Sequence, residues 1–175
     1  FPHHENEIAQ SEAFSGKQFV KYWIHNGFVT INKEKMSKSL GNFFTLRVAL
    51  KEYDPMVIRY FLLSQHYRGA LDFSPEHLEQ AKSAWKKISA SRDIALEFIG
   101  KHQPDKGPLA DEVAGKIASL KETFENSMND DFNTAAAFAV LHETTGEINK
   151  RTGATNLKTA GLRELVDLLE EICGI

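Results

Sequence analysis

The sequence predicts a mainly α fold, in which a short mixed segment is followed by an antiparallel helical bundle. Three observations carry this. Apolar or small residues recur at helical steps through Leu78, Ala81, Trp85, Ile88, Ala95 and Ile99. Further stripes of the same kind follow, at Val113, Ile117, Leu120 and Phe124, then at Ala137, Val140, Leu141 and Ile148, then at Leu165, Leu168, Leu169 and Ile172. The β-prone run Phe28-Val29-Thr30-Ile31 is short by comparison. None of the four stripes can be buried by its own helix, so the helices must pack on one another. The expected division is residues 1–74 and 75–175.

Taken in order, Pro2 stands where a helix begins and Glu5 and Glu7 fall in its first turn, so a helix is expected from about Pro2 to Glu12. After Ser15-Gly16, the spacing of Phe19, Tyr22 and Trp23 predicts a second short helix that stops at Asn26-Gly27. Phe28 to Ile31 with the Asn32-Lys33 turn predicts a strand or narrow hairpin leading into Lys35-Met36-Ser37-Lys38-Ser39, and Gly41-Asn42 continues as loop. Leu46 to Leu50 suggests a short helix, and Asp54-Pro55 a capped one over Met56–Ser64. Gly69–Ser74 is expected to be a linker, and Ser74-Pro75 to open the longest helix. His102–Pro108 is a polar connector, and Asn133 or Thr134 can cap the helix that follows it by one.

Composition narrows the function classes. Apolar residues are 42% and charged residues 26%, enough for a core. No apolar stretch approaches the ~18 residues that a membrane span needs. The chain has one cysteine, Cys173, so an internal disulfide is excluded and a reducing, cytoplasmic setting is expected. Net charge is −3, which argues against coating nucleic acid by bulk electrostatics. Residues 1–75 carry 9 basic and 7 acidic side chains and residues 76–175 carry 12 and 17, which points to different tasks for the two parts. The opening Phe1-Pro2-His3-His4, without a methionine, is expected to be an entry into the middle of a domain.

The strongest chemical signal is KMSKS at 35–39. Two lysines three apart, interleaved with serines on a loop, can close over a polyphosphate: the ammonium groups act as point charges and the hydroxyls as added donors. Charge building on a departing pyrophosphate would be stabilised there, and by analogy with oxyanion donors the loss of one such group costs roughly 10²- to 10³-fold in rate. A solvated basic turn is the plainer alternative for any two loop lysines.

This pentapeptide resembles the signature loop of class I aminoacyl-tRNA synthetases. The opening FPHHENEIAQSE, the HNGFVTI before the loop, the SLGNFFTL after it and the later NDDFNTAAAFAVL are similar to cysteinyl-tRNA synthetase. The resemblance implies that residues 1–74 are the C-terminal remnant of a class I nucleotide-binding α/β domain and that residues 75–175 are the helical bundle of tRNA-binding type that follows it. It implies a ligase that uses ATP to activate cysteine and passes it to tRNA(Cys), expected as a monomer. Lys38 is then the principal phosphate contact and catalytic residue, with Lys35 a weaker partner that may only shape the loop, and Met36, Ser37 and Ser39 complete the ATP-binding segment.

A second site is His3 with Glu7. Positions i and i+4 share a helix face, and imidazole and carboxylate both suit zinc, although two ligands alone are more often a surface pair. The family resemblance implies that His3 and Glu7 hold Zn2+ together with two cysteines from elsewhere, and neither cysteine is in this sequence. An open zinc position binds a thiolate and favours it over a hydroxyl, which separates cysteine from serine. The sequence also contains no His-Ile-Gly-His element, so the 175 residues alone are expected neither to form the adenylate nor to bind zinc tightly.

Other residues invite plainer readings. His4 is expected to be structural, with a substrate contact as the alternative. Trp85 lies on the helix seam and is expected in the core. Arg59, His66 and Arg68 sit near a helix end; for Arg68 a phosphate contact and a surface salt bridge are equally open. Asp130-Asp131, before Phe132-Asn133-Thr134, is expected to serve the start of a helix. Two other function classes stay in view: the related cysteine ligase of mycothiol biosynthesis, and a non-catalytic helical RNA-binding module that kept the loop.

Overall fold

The computed structural model describes residues 2–31, 34–36, 45–102, 111–153 and 159–174, with Lys35 and Ala160 described by backbone only. Helix α1 (Pro2–Ser15) begins at its proline as expected and ends where Gly16 takes φ 62°, a left-handed stop that glycine adopts without steric cost. No residue of α1 is buried.

From Gly16 to Phe28 the chain is not helical. The second helix expected from Phe19, Tyr22 and Trp23 is therefore corrected to an irregular, non-helical segment. The aromatic side chains are used in contacts across the fold: Trp23 stacks on His4 of α1 with centroids 4.8 Å apart and an interplanar angle of 28°. His25, two residues on, lies 6.5 Å from Trp23 with nearly parallel rings and 4.9 Å from His4.

Strand β1 (Val29–Ile31) then pairs antiparallel with β2 (Glu34–Lys35), Thr30 opposite Lys35, giving the expected narrow hairpin. The chain crosses through α2 (Leu46–Glu52) and α3 (Pro55–Leu63) and returns as β3 (Leu71–Asp72), parallel to β1 with Val29 opposite Leu71. Strand β3 occupies part of the stretch expected to be a linker. Its pairing is long-range, with the Leu71 amide donating to the Phe28 carbonyl (2.9 Å) and the Phe73 amide to that of Thr30 (2.7 Å), and two residues carry no alternation to read.

The helix starts are chemical. The Thr45 hydroxyl accepts from the Val48 amide (3.2 Å) and the Asp54 carboxylate from the Met56 amide (2.7 Å). Ser74, whose hydroxyl accepts from the His77 amide (3.3 Å), starts α4 (Pro75–Lys101). The His77 Nδ1 lies 3.0 Å from the Asp72 carbonyl, and the Thr30 hydroxyl donates to the Asp72 carboxylate (2.9 Å), so the small sheet and the root of α4 are one polar unit.

Helix α4, about 40 Å long at 1.5 Å per residue, runs into a bundle with α5 (Asp111–Asn129), α6 (Thr134–Thr152) and α7 (Thr159–Cys173). Its core holds Ile88, Leu120, Val140, Ile148, Leu162, Leu165, Val166 and Leu169, all at most 2% exposed. The buried Thr144 and Thr145 hydroxyls donate to the Val140 and Leu141 carbonyls, both at 2.8 Å, so their burial leaves no donor unmet. A second, smaller core joins Val57 and Phe61 of α3 to Leu78 and Ala81 of α4. Tyr60 and Trp85 pack against both cores, which places Trp85 as expected in the packed interior between them.

Candidate functional site

The start of α1 brings two of the anticipated site residues together. His3 Nε2 and Glu7 Oε1 are 3.2 Å apart on an exposed face, one helical turn from each other. Two ligands of one tetrahedral zinc, bonded at about 2.0–2.1 Å, lie roughly 3.3 Å apart, so this pair has the spacing and the nitrogen and oxygen donors that a shared ion requires. Among the described residues no group of three or more His, Cys, Asp or Glu gathers around a common point. Cys173 is packed in the core of the bundle, where burial pushes its thiol up to about 11 and keeps it protonated. His4 turns from the pair toward Trp23 and His25, a stacking role in the fold.

Of the loop, the Lys35 backbone lies in β2 beside Thr30, and Met36 is half-buried. Ser37, Lys38 and Ser39 lie outside the described residues, as do Gly41 and Asn42. The hairpin β1–β2 thus delivers the chain to the start of the pentapeptide at the edge of the sheet opposite β3.

The turn between α3 and β3 holds a group that the sequence reading misassigned. Asp131 does not serve a helix start, which is capped instead by the Asn133 side chain accepting from the Ala136 amide (3.1 Å). Its carboxylate accepts from Arg68 Nε (2.6 Å) and a terminal nitrogen of Arg68 (3.1 Å), and from the Tyr67 hydroxyl (2.7 Å). His66 Nε2 is 3.8 Å away. The Arg68 hydrogen bonds, then that of Tyr67, hold the carboxyl down to about 2, and the bond to the carboxylate raises the Tyr67 phenol. Of the two alternatives for Arg68, the structure has the salt bridge.

Two further contacts converge on the same turn. The Thr134 hydroxyl donates to the Gln65 carbonyl (3.1 Å), and the Gly27 amide donates to that of Tyr67 (2.7 Å). A Cβ on Gly27 would lie 2.1 Å from the Gly69 carbonyl oxygen, so only glycine allows this approach. On the far side Asp131 and Phe132 have φ of 52° and 53°. Left-handed backbone at a non-glycine residue costs of order 1–3 kcal/mol, and Phe132 is 53% exposed, so burial does not offset it. Backbone bonds from the Phe132 amide to the Met128 carbonyl (3.2 Å) and from the Asn133 amide to that of Ser127 (3.0 Å) close the turn, and the bonds to Asp131 tie it to Arg68 and Tyr67.

With this geometry the comparisons can be read. Residues 1–83 match the model of the catalytic domain of class I (C) tRNA synthetases, and residues 123–175 match the DALR domain. Residues 1–83 are therefore the C-terminal portion of a class I synthetase catalytic domain, and residues 123–175, which hold the end of α5 with α6 and α7, a DALR helical domain. The chain is 44% identical over 178 residues to the cysteine–tRNA ligase of Geobacter sulfurreducens, covering 100% of this chain and 37% of that protein. It is 51% identical over 158 residues to that of Pelobacter propionicus, covering 86% of this chain and 32% of the relative. For Endomicrobium trichonymphae the identity is 47% over 177 residues, covering 99% and 36%. The chain belongs to the cysteine–tRNA ligase family, and it spans little more than a third of the length of these relatives.

Proposed function

We propose that this chain is part of an enzyme that activates cysteine with ATP and esterifies it to tRNA(Cys), residues 1–74 serving the catalytic domain and residues 75–175 the tRNA. The observation that carries the reading is the alignment to cysteine–tRNA ligases along the whole chain. In the first step the cysteine carboxylate attacks the α-phosphorus of ATP, the bond to the β-phosphate breaks, and pyrophosphate leaves with its electrons; in the second the terminal ribose hydroxyl of the tRNA takes the acyl group and releases AMP. Such displacement needs positioning and charge neutralisation more than covalent help from the protein.

Lys38 meets the charge on the departing pyrophosphate, Ser37 and Ser39 add donors, and Lys35 and Met36, anchored at the end of β2, set where the loop begins. His3 and Glu7 are the residues that would hold a zinc ion, and their 3.2 Å separation fits that task. When bound, zinc would give a thiolate a coordination position that a hydroxyl fills poorly. A monomeric enzyme acting in the cytoplasm is the accompanying reading.

The test is ATP–pyrophosphate exchange by a polypeptide extending this chain to the length of its relatives. Exchange should depend on cysteine and fall by roughly 10²- to 10³-fold in Lys38→Ala; the 175 residues alone should show none. Exchange that ignores cysteine, or that Lys38→Ala leaves untouched, would overturn the reading.

A further inference from the structure

Helix α4 alone would leave the bundle free to swing about its root at Ser74, because one rod fixes a position and leaves the angle about it open. The α3–α4 core resists that motion close to the root. A second tie lies in the α5–α6 turn, where the Asp131 carboxylate grips Arg68 and Tyr67 and Thr134 bonds Gln65. The gripped turn touches the segment after α1 on its other side, through Gly27 against Tyr67 and Gly69. That segment carries Trp23, which stacks on His4 beside His3, and His25, whose ring is tilted against that of His4. A continuous line of packed groups therefore runs from the helix bearing His3 and Glu7 to the first residues of α6. The backbone of Asp131 and Phe132 is left-handed at the grip, and the Phe132 and Asn133 amides close the turn by donating to the Met128 and Ser127 carbonyls (3.2 and 3.0 Å).

We propose that Asp131 is a positioning residue for the transfer step: with Arg68 and Tyr67 it fixes the angle of the helical bundle against the catalytic segment, so that a tRNA held by the bundle presents its end to the activated amino acid. This rests on the function proposed above. Asp131 touches no reactant. Its effect is confined to the step that needs both parts in register, and a misplacement of about 1 Å far from the chemistry can cost on the order of 10²-fold.

The experiment compares wild type, Asp131→Asn and the charge-reversed pair Arg68→Asp with Asp131→Arg in a polypeptide of the relatives' length. Asp131→Asn should lower kcat/KM for tRNA by about tenfold or more, within the range of typical coupling effects of about 5- to 150-fold. Cysteine-dependent pyrophosphate exchange should stay within about twofold, and the reversed pair should regain part of the loss. Equal losses in both reactions, or no loss in either, would overturn the proposal. If wild type itself lacks cysteine-dependent exchange, the enzymatic reading falls and the proposal with it. Amide hydrogen exchange on the 175-residue chain separates the cases: Asp131→Asn should speed exchange over residues 64–69 and 130–134 at least tenfold and leave the α7 core unchanged, and uniform acceleration would contradict the tie even where the enzyme is active.

Discussion

Residues 2–31 and residues 75–174 use apolar side chains to opposite ends. In the second region Leu162, Leu165, Val166 and Leu169 are completely buried, and the stripes of four helices close on one another. In the first, Phe14 is 95% exposed, Tyr22 86% and Phe28 75%, and α1 buries nothing. The bundle is thus held by a local core, whereas the segment that carries His3, Glu7 and the signature loop is held by particular long-range ties: Gly27 against Gly69, β3 on β1, and Arg68 on Asp131. The buried core and the residues proposed for chemistry lie in different parts of the chain.

That contrast can be broken by substitution and read by urea unfolding of the chain. Leu169→Ala leaves a cavity in the bundle core and should cost about 2–5 kcal/mol. Gly27→Ala forces its new methyl into the Gly69 backbone and should cost about 1–3 kcal/mol, although no buried apolar surface is lost. Phe14→Ser, a loss of a whole aromatic ring, should change stability by less than about 0.5 kcal/mol. If Phe14→Ser were as costly as Leu169→Ala, the division between the regions would be wrong.

A smaller effect sharpens the comparison from the electrostatic side. The carboxyl of Asp131 is depressed in the folded protein to about 2, so its contribution is complete above the ordinary carboxylate range near 4 and is lost progressively as pH falls from there through about 2. Titration followed by NMR should show Asp131 protonating well below a free aspartate, and Arg68→Met should raise it part of the way, the Tyr67 bond holding the rest.

The same contrast explains what could be read in advance. Asp54-Pro55, Ser74-Pro75 and Asn133 announce their helices because a cap acts within three residues of itself, and the seam from Leu78 to Ile99 coincides with real burial at Leu78, Ala81, Ile88 and Ala95. Phe19, Tyr22 and Trp23 mislead because their spacing suits a helix, while Trp23 stacks instead on His4 of α1, a partner that the local sequence does not show. Strand β3 leaves no trace in two residues. Asp131 reads as a helix start from its neighbours, although its partner Arg68 stands 63 positions away. One signal was present: Asn133 already supplies the cap, which leaves the carboxylates of the turn available for another bond. His3 and Glu7 were legible as a pair because helix geometry alone brings i and i+4 together; KMSKS was legible as a motif, with Lys38 and its serines lying outside the described residues.

The proposed role of His3 and Glu7, at the exposed start of α1, is to hold the ion that selects cysteine. Zinc content and cysteine-dependent pyrophosphate exchange, measured together on a polypeptide of the relatives' length, test it most directly. The account predicts that His3→Ala lowers bound zinc and cysteine activation in parallel, each at least tenfold, while the unfolding midpoint of the bundle stays in place. Full zinc content and undiminished exchange in His3→Ala would contradict it.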